Sequence, residues 1–266
     1  MVRKKAKTNI EKFNEMKHTL GDEEFINFDN IIKSEVEYTQ NPSLFPQHTF
    51  FLLMIGGTGR GKTNLLLNML FKGLHYDRLY LYAQFLEEPK YQFLIKYFDD
   101  LTAYMKSKDL INDNEKLLYT GDKYDDIIEL DKLDGEKQNL IIFDDFVSES
   151  REIKERKITK LFQMSRKKNC SIIYLTQSYF SKNLPKDIRL QCTYFIIFSI
   201  KQKKELIELA KDHAIGMDNK EFMRFFNEGT KEPYSWVMID KKTTDDAKKF
   251  RKKFNYSFLN NWALIE

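Results

Sequence analysis

Short apolar runs alternate with longer amphipathic segments from residue 48 onward. Apolar residues are nearly continuous within each run, which is typical of strands buried on both faces of a sheet. The segments between the runs have the spacing of amphipathic helices, and this alternation predicts an α/β fold with a mostly parallel sheet and helices on both faces. The predicted strands are 49–55, 78–83, 140–143, 171–176 and 194–200, and the predicted helices are 63–74, 90–105, 149–168 and 202–213.

The two ends of the chain differ from this alternating region. Residues 1–47 are polar and mixed in charge, and we expect them to form an N-terminal extension of a main domain at 48–240. Residues 106–138 are polar and poorly patterned, which favours an insertion or a long loop. Three further elements are predicted: a helix at 219–227, a strand at 234–240 and a basic C-terminal helix or tail at 241–266.

Composition narrows the class of protein. Hydrophobic residues make up 42% and aromatic residues 14% of the chain, which excludes a largely disordered protein. Charged residues make up 32%, but 44 Lys and Arg against 40 Asp and Glu leave a net charge of only +4. This balance excludes a polybasic tail protein and still allows a local basic face that binds nucleic acid.

The cysteines and the longest apolar run indicate in which cellular compartment the protein is located. The chain has two cysteines, Cys170 and Cys192, and their spacing fits neither a zinc site nor a disulfide framework. The basic N-terminus lacks the apolar stretch of a secretory signal, and the longest strongly apolar run, 50–55, is too short to cross a bilayer. We therefore expect a soluble intracellular protein with no transmembrane segment.

Glycines concentrate after the first apolar run, where residues 56–63 have the sequence GGTGRGKT. This octapeptide fits the phosphate-binding pattern G-x-x-x-x-G-K-[ST], and it lies between a predicted strand and a predicted helix, as the motif requires. Its backbone N–H groups would bind phosphate oxygens, Lys62 would supply a positive charge and Thr63 a hydroxyl ligand for Mg²⁺. The alternative is a chance glycine-rich turn. The predicted nucleotide-binding residues are Gly56, Gly57, Thr58, Gly59, Arg60, Gly61, Lys62, Thr63 and Asn64.

Two carboxylates, Asp144 and Asp145, follow the apolar run 140–143. A parallel strand would carry them to the carboxyl edge of the sheet beside the phosphate-binding loop, which is the arrangement of a Walker B motif. We predict that Asp144 holds Mg²⁺ and that Asp145 polarises the attacking water. The alternative is an acidic cap of the following helix, since Asp favours such positions. Gln177 ends the next apolar run and either bonds the γ-phosphate or the lytic water, or simply begins a loop.

Together these motifs resemble the FtsK/HerA superfamily of DNA-pumping ATPases, and within it the poxvirus-type genome-packaging ATPases of large DNA viruses and virophages. The resemblance covers about residues 48–200 and includes GGTGRGKT, IIFDDF, SIIYLTQSYF and LPKDIR in order. It implies that 48–240 is a P-loop ATPase domain with a RecA-like, additional-strand fold, in which one strand separates the P-loop strand from the Walker B strand. It also implies ATP and Mg²⁺ as cofactors and a homo-oligomeric ring that translocates double-stranded DNA. Asp145 stands where the superfamily often has Glu.

The resemblance also suggests an arginine that completes the site of a neighbouring subunit. Arg166 lies eleven residues before Gln177, where the family has an arginine that looks like a finger contributed in trans. A helix that leaves the carboxyl edge of a parallel sheet must return to the other edge before the next strand begins. Arg166 would therefore lie about 20 Å from its own phosphates, which excludes a role in its own site. The alternative is a solvated arginine, and Arg189 or Arg151 are the other candidates for the role.

Two basic segments, 151–168 and 241–253, are each interpreted either as solvated helix faces or as non-specific contacts with the DNA backbone. The four histidines have no ligand spacing, and the two cysteines are expected to be small core or edge residues. Four late aromatic residues are expected in the core rather than in a base-stacking platform: Phe225, Phe226, Tyr234 and Trp236.

We predict a motor ATPase that loads a viral genome into a capsid, located in the host cytoplasm or viral factory or within the virion. The alternatives are another P-loop NTPase, either helicase-like or a nucleotide kinase, and a non-hydrolysing nucleotide-gated capsid adaptor. A kinase lid needs arginines, and residues 75–135 contain only Arg78. A protein that only binds nucleotide needs no water-positioning residues such as Asp145 and Gln177.

Overall fold

A computed structural model of the chain describes residues 39–146, 151–180, 184–214 and 216–265, with 151–156 described by their backbone only. Most of the predicted N-terminal extension lies outside these residues. Its last part, 39–47, belongs to the same compact unit as the rest of the described chain. The Phe45 ring stacks on Phe254 with 4.3 Å between centroids, and the Gln47 backbone N–H donates to the Tyr194 hydroxyl over 3.2 Å.

Within the described residues there are seven α-helices and ten β-strands. The helices are α1 (Lys62–Lys72), α2 (Pro89–Ser107), α3 (Arg151–Met164), α4 (Lys186–Gln191), α5 (Lys203–His213), α6 (Asn219–Gly229) and α7 (Asp246–Lys249). The strands are β1 (Phe51–Ile55), β2 (Arg78–Ala83), β3 (Leu118–Gly121), β4 (Asn139–Asp144), β5 (Cys170–Thr176), β6 (Tyr194–Phe198), β7 (Trp236–Asp240), β8 (Phe250–Lys252), β9 (Tyr256–Ser257) and β10 (Ala263–Leu264).

The ten strands of the described chain form one sheet in the order β10-β9-β8-β7-β6-β1-β5-β4-β2-β3. The six strands from β6 to β3 in this order pair in parallel, and the four at the other end pair antiparallel. β5 pairs with both β1 and β4, so it separates the P-loop strand from the strand that ends in Asp144. The predicted α/β fold class with the additional strand is therefore confirmed.

Each face of the sheet is covered by its own set of helices, and β1 shows how the sequence divides between them. Phe51, Leu53 and Ile55 pack in the cluster that includes the apolar residues of α3, α4, α5 and α6. Leu52 and Met54 pack in the cluster of α1 and α2. All five side chains are buried. Full burial of one such side chain contributes about 1.5–3 kcal/mol to the free energy of folding. A strand covered on both faces is therefore stabilised by apolar residues at every position.

The sequence pattern located the five buried strands and the main helices with small shifts at their ends, but it missed β3. This four-residue strand lies at the sheet edge within the segment predicted to be an insertion or a loop. Only its first and last residues, Leu118 and Gly121, are buried. A short edge strand of this kind has no continuous apolar run by which it could be recognised.

The prediction of a basic helix or tail at 241–266 is wrong. The helix there is limited to the four residues of α7, and β8, β9 and β10 then extend the sheet beyond β7. Arg251 is only 1% exposed, and its guanidinium donates to the carbonyls of Leu44 and Phe254 and approaches the Asp240 carboxylate at 3.4 Å. A buried cation is tolerated when it is paired and hydrogen-bonded in this way, so a dense run of basic residues did not mean a solvated helix.

Candidate nucleotide site

The loop between β1 and α1 supplies the backbone donors of the site. Gly59 and Gly61 have φ angles of 73° and 101°, a region that side-chain-bearing residues rarely adopt. Gly61 is the N-cap residue of α1, and no side chain among the described residues caps that helix. The first N–H groups of α1 therefore remain available to an anion, with the positive end of the helix dipole behind them.

Lys62 lies inside this loop. Its Nζ donates to the Gly56 carbonyl over 2.6 Å and to the Gly57 carbonyl over 3.5 Å, and the residue is only 8% exposed. The Gly56 backbone N–H in turn donates to the carbonyl of Thr176, the last residue of β5, over 3.1 Å. The lysine charge is thus held at the centre of the loop, where phosphate oxygens would replace the two carbonyls as acceptors.

Asp144 ends β4 at the same edge of the sheet. The Tyr91 hydroxyl of α2 donates to its Oδ2 atom. Burial raises the pKa of Asp144 to about 6, and the charge of Asp145 adds to this effect, whereas the Tyr91 hydrogen bond and Lys62 oppose it. A partly buried carboxylate beside a lysine is suited to a divalent cation, which would supply the positive charge that the site lacks.

Asp145 and Gln177 lie side by side. The Asp145 backbone has a φ of 42°, and its N–H donates to the Leu175 carbonyl over 3.1 Å. Asp tolerates this left-handed conformation better than most residues, and here it directly follows the last residue of β4. The Gln177 Nε2 donates to Asp145 Oδ2 over 2.9 Å. The predicted water-polarising residue and the predicted glutamine are therefore in direct contact.

Tyr91 is a site residue that the sequence analysis did not identify. It is buried, and burial followed by the Asp144 charge raises the pKa of its hydroxyl, while a hydrogen bond with the Thr63 side chain acts in the opposite direction. One phenol thus contacts both predicted Mg²⁺ ligands, Thr63 and Asp144. No sequence motif marks it, because it lies 53 residues before its carboxylate partner.

The residues present fit the magnesium ion that the motifs imply. Thr63 and Asp144 offer oxygen ligands, which Mg²⁺ prefers, and P-loop proteins complete its shell with phosphate oxygens and water. Among the described residues there is no group of three or more His, Cys, Asp and Glu that could hold a metal ion on its own. A site with one carboxylate and one hydroxyl therefore depends on the nucleotide to complete it.

Arg166 lies at the opposite edge of the sheet. Its guanidinium carbon is 4.6 Å from the centroid of the Phe51 ring, and Phe51 is the first residue of β1, whereas the P-loop follows the last, Ile55. Four residue steps of a strand span about 13 Å, so Arg166 does not reach its own P-loop, as the sequence predicted. The geometry leaves the trans role untested.

The other two candidate arginines differ from Arg166. The Arg189 guanidinium stacks 4.4 Å from the centroid of the Tyr179 ring and donates to the Tyr179 carbonyl over 3.3 Å. Its Nε is buried and has no hydrogen-bond partner among the described residues. The side chain of Arg151 lies outside the part of the chain that the structure describes.

A buried glutamate holds the residues that follow Gln177. Glu205 of α5 accepts a hydrogen bond from the Ser178 hydroxyl over 2.8 Å and one from the Tyr179 backbone N–H. The Tyr179 hydroxyl donates to Asp212 over 2.5 Å and also lies 2.9 Å from the His213 Nε2 atom. Sequence analysis gave no signal for these contacts, because α5 begins 27 residues after β5 ends.

The P-loop, Tyr91, Asp144, Asp145 and Gln177 line a cleft of about 1060 Å³ at the carboxyl edge of the parallel strands. Aromatic residues from four segments contribute to its walls: Phe85, Phe198, Tyr234 and Trp236. The prediction that Phe225, Phe226 and Trp236 are core residues is confirmed, since all three are buried. For Tyr234 it is wrong, because this side chain is 71% exposed and lies in the cleft.

The basic side chains that the structure describes in the two segments differ in their surroundings. Lys248, Lys249 and Lys252 form ion pairs with carboxylates, and Arg251 is buried, so much of the C-terminal segment is engaged within the protein. Lys160, Arg166 and Lys167 of the earlier segment are exposed.

Across the described residues, none of the helices combines the length and the apolarity needed to cross a bilayer.

The chain is similar to one protein family in its sequence and to several solved structures in its fold. The model of the family described as Poxvirus A32 protein matches residues 35–241. No curated protein sequence matches. Among solved structures, the genome packaging NTPase B204 from Sulfolobus turreted icosahedral virus 2 is similar in its sulfate complex, with a TM-score of 0.49, 11% identity and coverage of 77% of this chain and 95% of that one. The pCW3 conjugation coupling protein TcpA with ATPγS is similar with a TM-score of 0.40, 14% identity and coverage of 86% and 69%.

Proposed function

The chain belongs to the Poxvirus A32 protein family, the poxvirus-type packaging ATPases that its motifs resemble, and we propose that it couples Mg²⁺-dependent ATP hydrolysis to the movement of double-stranded DNA into a viral capsid. One observation carries the hydrolytic part of this proposal. The P-loop lysine, the Walker B carboxylates and the β5 glutamine converge on one cleft, with Gln177 hydrogen-bonded to Asp145. A protein that only binds nucleotide has no use for this contact.

Each side chain has a role that follows from its position. Lys62 and the N–H groups of the loop bind the phosphates, and the lysine charge stabilises the negative charge that develops as the γ-phosphate leaves. Asp145 accepts a proton from the attacking water, and Gln177 orients that water through its amide carbonyl while its amide nitrogen holds Asp145. Thr63 and Asp144 would hold Mg²⁺, which neutralises phosphate charge when bound.

We also propose that the chain forms a ring of subunits, and that this ring moves duplex DNA into a capsid. Arg166 lies on the surface at the edge of the sheet away from the site, where a neighbouring subunit in a closed ring could receive it. Lys160 and Lys167 of the same segment are exposed and are candidates for contacts with the DNA backbone. This work would take place in the host cytoplasm or viral factory, with capsid components as partners.

The proposal is tested by measuring phosphate release with and without linear duplex DNA. We expect Mg²⁺-dependent turnover that duplex DNA stimulates, and stimulation that weakens as salt is raised, because DNA contacts release counterions. Lys62→Ala is the matched control, and it should reduce turnover below about a tenth of the wild-type rate, because the developing phosphate charge loses its fixed cation. A rate of phosphate release that does not change when DNA is added would instead support another P-loop NTPase. Absence of ATP hydrolysis would support an adaptor that only binds nucleotide.

A further inference from the structure

The exposed tyrosine in the cleft has a place that the phosphate chemistry does not explain. Resting on the proposed ATPase function, we propose that Tyr234 is the platform on which the purine base of the bound nucleotide stacks. Tyr234 precedes β7, which is separated from the P-loop strand by β6. Asp144, Asp145 and Gln177 lie at the ends of β4 and β5, on the other side of the P-loop strand.

The order of strands gives the direction of the nucleotide. Its γ-phosphate lies toward Asp145 and Gln177, and its α-phosphate lies at the N-terminus of α1, so the ribose and base extend away from the Walker B side. The Tyr234 ring is close to that helix terminus: a Cβ atom placed on Gly61 would lie 3.5 Å from Tyr234 Cδ1 and 3.7 Å from Phe198 Cε1. Phe85, the other strongly exposed aromatic residue of the cleft, follows β2 and lies on the γ-phosphate side.

The backbone around Tyr234 is built in a way that folding alone does not favour. The Ser235 N–H donates to the Glu232 carbonyl over 3.1 Å, which closes a four-residue turn with Pro233 in its second position and Tyr234 in its third. Tyr234 has a φ of 59°. A turn with proline second and a positive φ third favours glycine or asparagine in the third position. A tyrosine here is strained and leaves its ring 71% exposed, a combination that concentrates at ligand-binding sites.

The chemistry of the ring identifies the ligand class. The face of a phenol stacks on any flat base, and a ring held by a proline turn loses little conformational freedom on binding. Arg60 of the P-loop lines the same wall of the cleft, and its guanidinium is also planar and suited to stacking on a base. The platform therefore binds the base of the nucleotide and leaves the phosphates to the P-loop.

Two probes separate the base from the phosphates: ATPγS and inorganic tripolyphosphate, with binding to the full chain measured by calorimetry in the presence of Mg²⁺. Tyr234→Ala should weaken ATPγS binding about tenfold, because a base stacked on one aromatic ring contributes about a factor of ten to the binding constant. It should leave tripolyphosphate binding unchanged, because tripolyphosphate has no base. Tyr234→Phe should bind as the wild type does. Tyr234→Gly should show the same loss with a melting temperature at least as high as the wild type, since glycine relieves the positive φ.

Tyr104→Ala is the matched control, because Tyr104 of α2 is an exposed aromatic residue that does not line the cleft, and it should leave the affinity for ATPγS unchanged. The platform is refuted if Tyr234→Ala and Tyr234→Gly bind ATPγS with wild-type affinity, or if Tyr104→Ala weakens ATPγS binding as much as they do. Equal weakening of ATPγS and tripolyphosphate would also refute it, because the tyrosine would then act on the phosphates. A wild-type chain that binds neither probe would refute the proposed function itself, which is a separate result.

Discussion

The two neighbouring carboxylates of the Walker B strand have different surroundings, and this difference supports the separate roles that we propose for them. Asp144 contacts a buried tyrosine and faces the P-loop lysine, whereas Asp145 turns away from the strand toward Gln177. A carboxylate enclosed with the lysine is placed for the metal, and one that contacts the glutamine is placed for water.

The carboxylate pair gives a prediction with two arms. Asp145→Asn should leave ATP and Mg²⁺ binding largely intact and slow hydrolysis by roughly a hundredfold or more, since an amide cannot accept the proton. Asp144→Asn should weaken Mg²⁺-dependent nucleotide binding itself. Binding and single-turnover hydrolysis measured on the two variants check the assignment, and the opposite order of effects would reverse it.

The hydroxyl of Tyr91 is predicted to position the magnesium ligands. Tyr91→Phe keeps the ring in its buried place but removes the donor to Asp144 and the contact with Thr63. Loss of such a supporting hydrogen bond typically lowers metal affinity by roughly ten- to a hundredfold. We expect the Mg²⁺ concentration for half-maximal ATPγS binding to rise by about tenfold, while metal-free nucleotide binding is unchanged. An unaltered Mg²⁺ titration would show that Asp144 is positioned by its strand alone.

Residues of the site could be predicted from the sequence where the motif is local. The P-loop, Asp144, Asp145 and Gln177 each end or follow a buried strand, so strand direction alone brings them to one edge. Tyr91 and Tyr234 could not be assigned in this way. Their roles depend on contacts with segments distant in the sequence, and the aromatic composition around Tyr234 favoured a core position that the turn at 232–235 excludes.

At the scale of elements, the helix α5 is more than a cover for the sheet. Its Glu205 receives hydrogen bonds from Ser178 and Tyr179, the two residues that follow Gln177 at the end of β5. The carboxyl end of this strand is therefore tied to a helix as well as to its neighbouring strands. A glutamine that must orient water gains from this second attachment, because small displacements of a catalytic group cost large factors in rate.

Glu205→Ala should therefore lower kcat by roughly tenfold with little change in ATP affinity. It should also lower the free energy of unfolding by about 2 kcal/mol, because one buried and one partly buried donor lose their acceptor. Glu205→Gln keeps an acceptor oxygen and should restore most of kcat. The matched control is Glu208→Ala, which removes an exposed carboxylate of the same helix that pairs with Lys211 over 2.7 Å. A fall in stability without a fall in kcat would mean that Glu205 has a structural role only.

The strands that could be predicted from the sequence are those with both faces buried in the sheet. Strands β1, β2, β4, β5 and β6 are buried along nearly their whole length and were found by apolarity alone. The antiparallel strands β8, β9 and β10 have two or three residues each and are partly exposed. Their position depends on pairing with β7 and on burial of Arg251, and neither can be inferred from the charge pattern.

At the scale of the whole molecule, the parallel sheet separates two sets of groups. Its carboxyl edge carries the cleft, and its other edge carries Arg166, whose guanidinium packs over the Phe51 ring. A chain that places a candidate finger about 13 Å or more from its own P-loop needs a second copy to bring the two together. A finger contributed in trans would make hydrolysis depend on assembly, as we propose for a motor whose subunits act in turn.

The prediction for the assembly is that Arg166 completes the site of a neighbouring subunit. Arg166→Ala and Lys62→Ala chains should each be inactive alone, because the first lacks the finger and the second lacks the P-loop cation. Mixed assemblies should regain turnover wherever an intact Lys62 site faces an intact Arg166 from the next subunit. Lys220→Ala, which removes an exposed cation of α6 to which no role is assigned, is the matched control and should stay active. Absence of recovery at every mixing ratio, in assemblies shown to contain both chains, would contradict the role in trans and leave Arg189 and Arg151 as the remaining candidates.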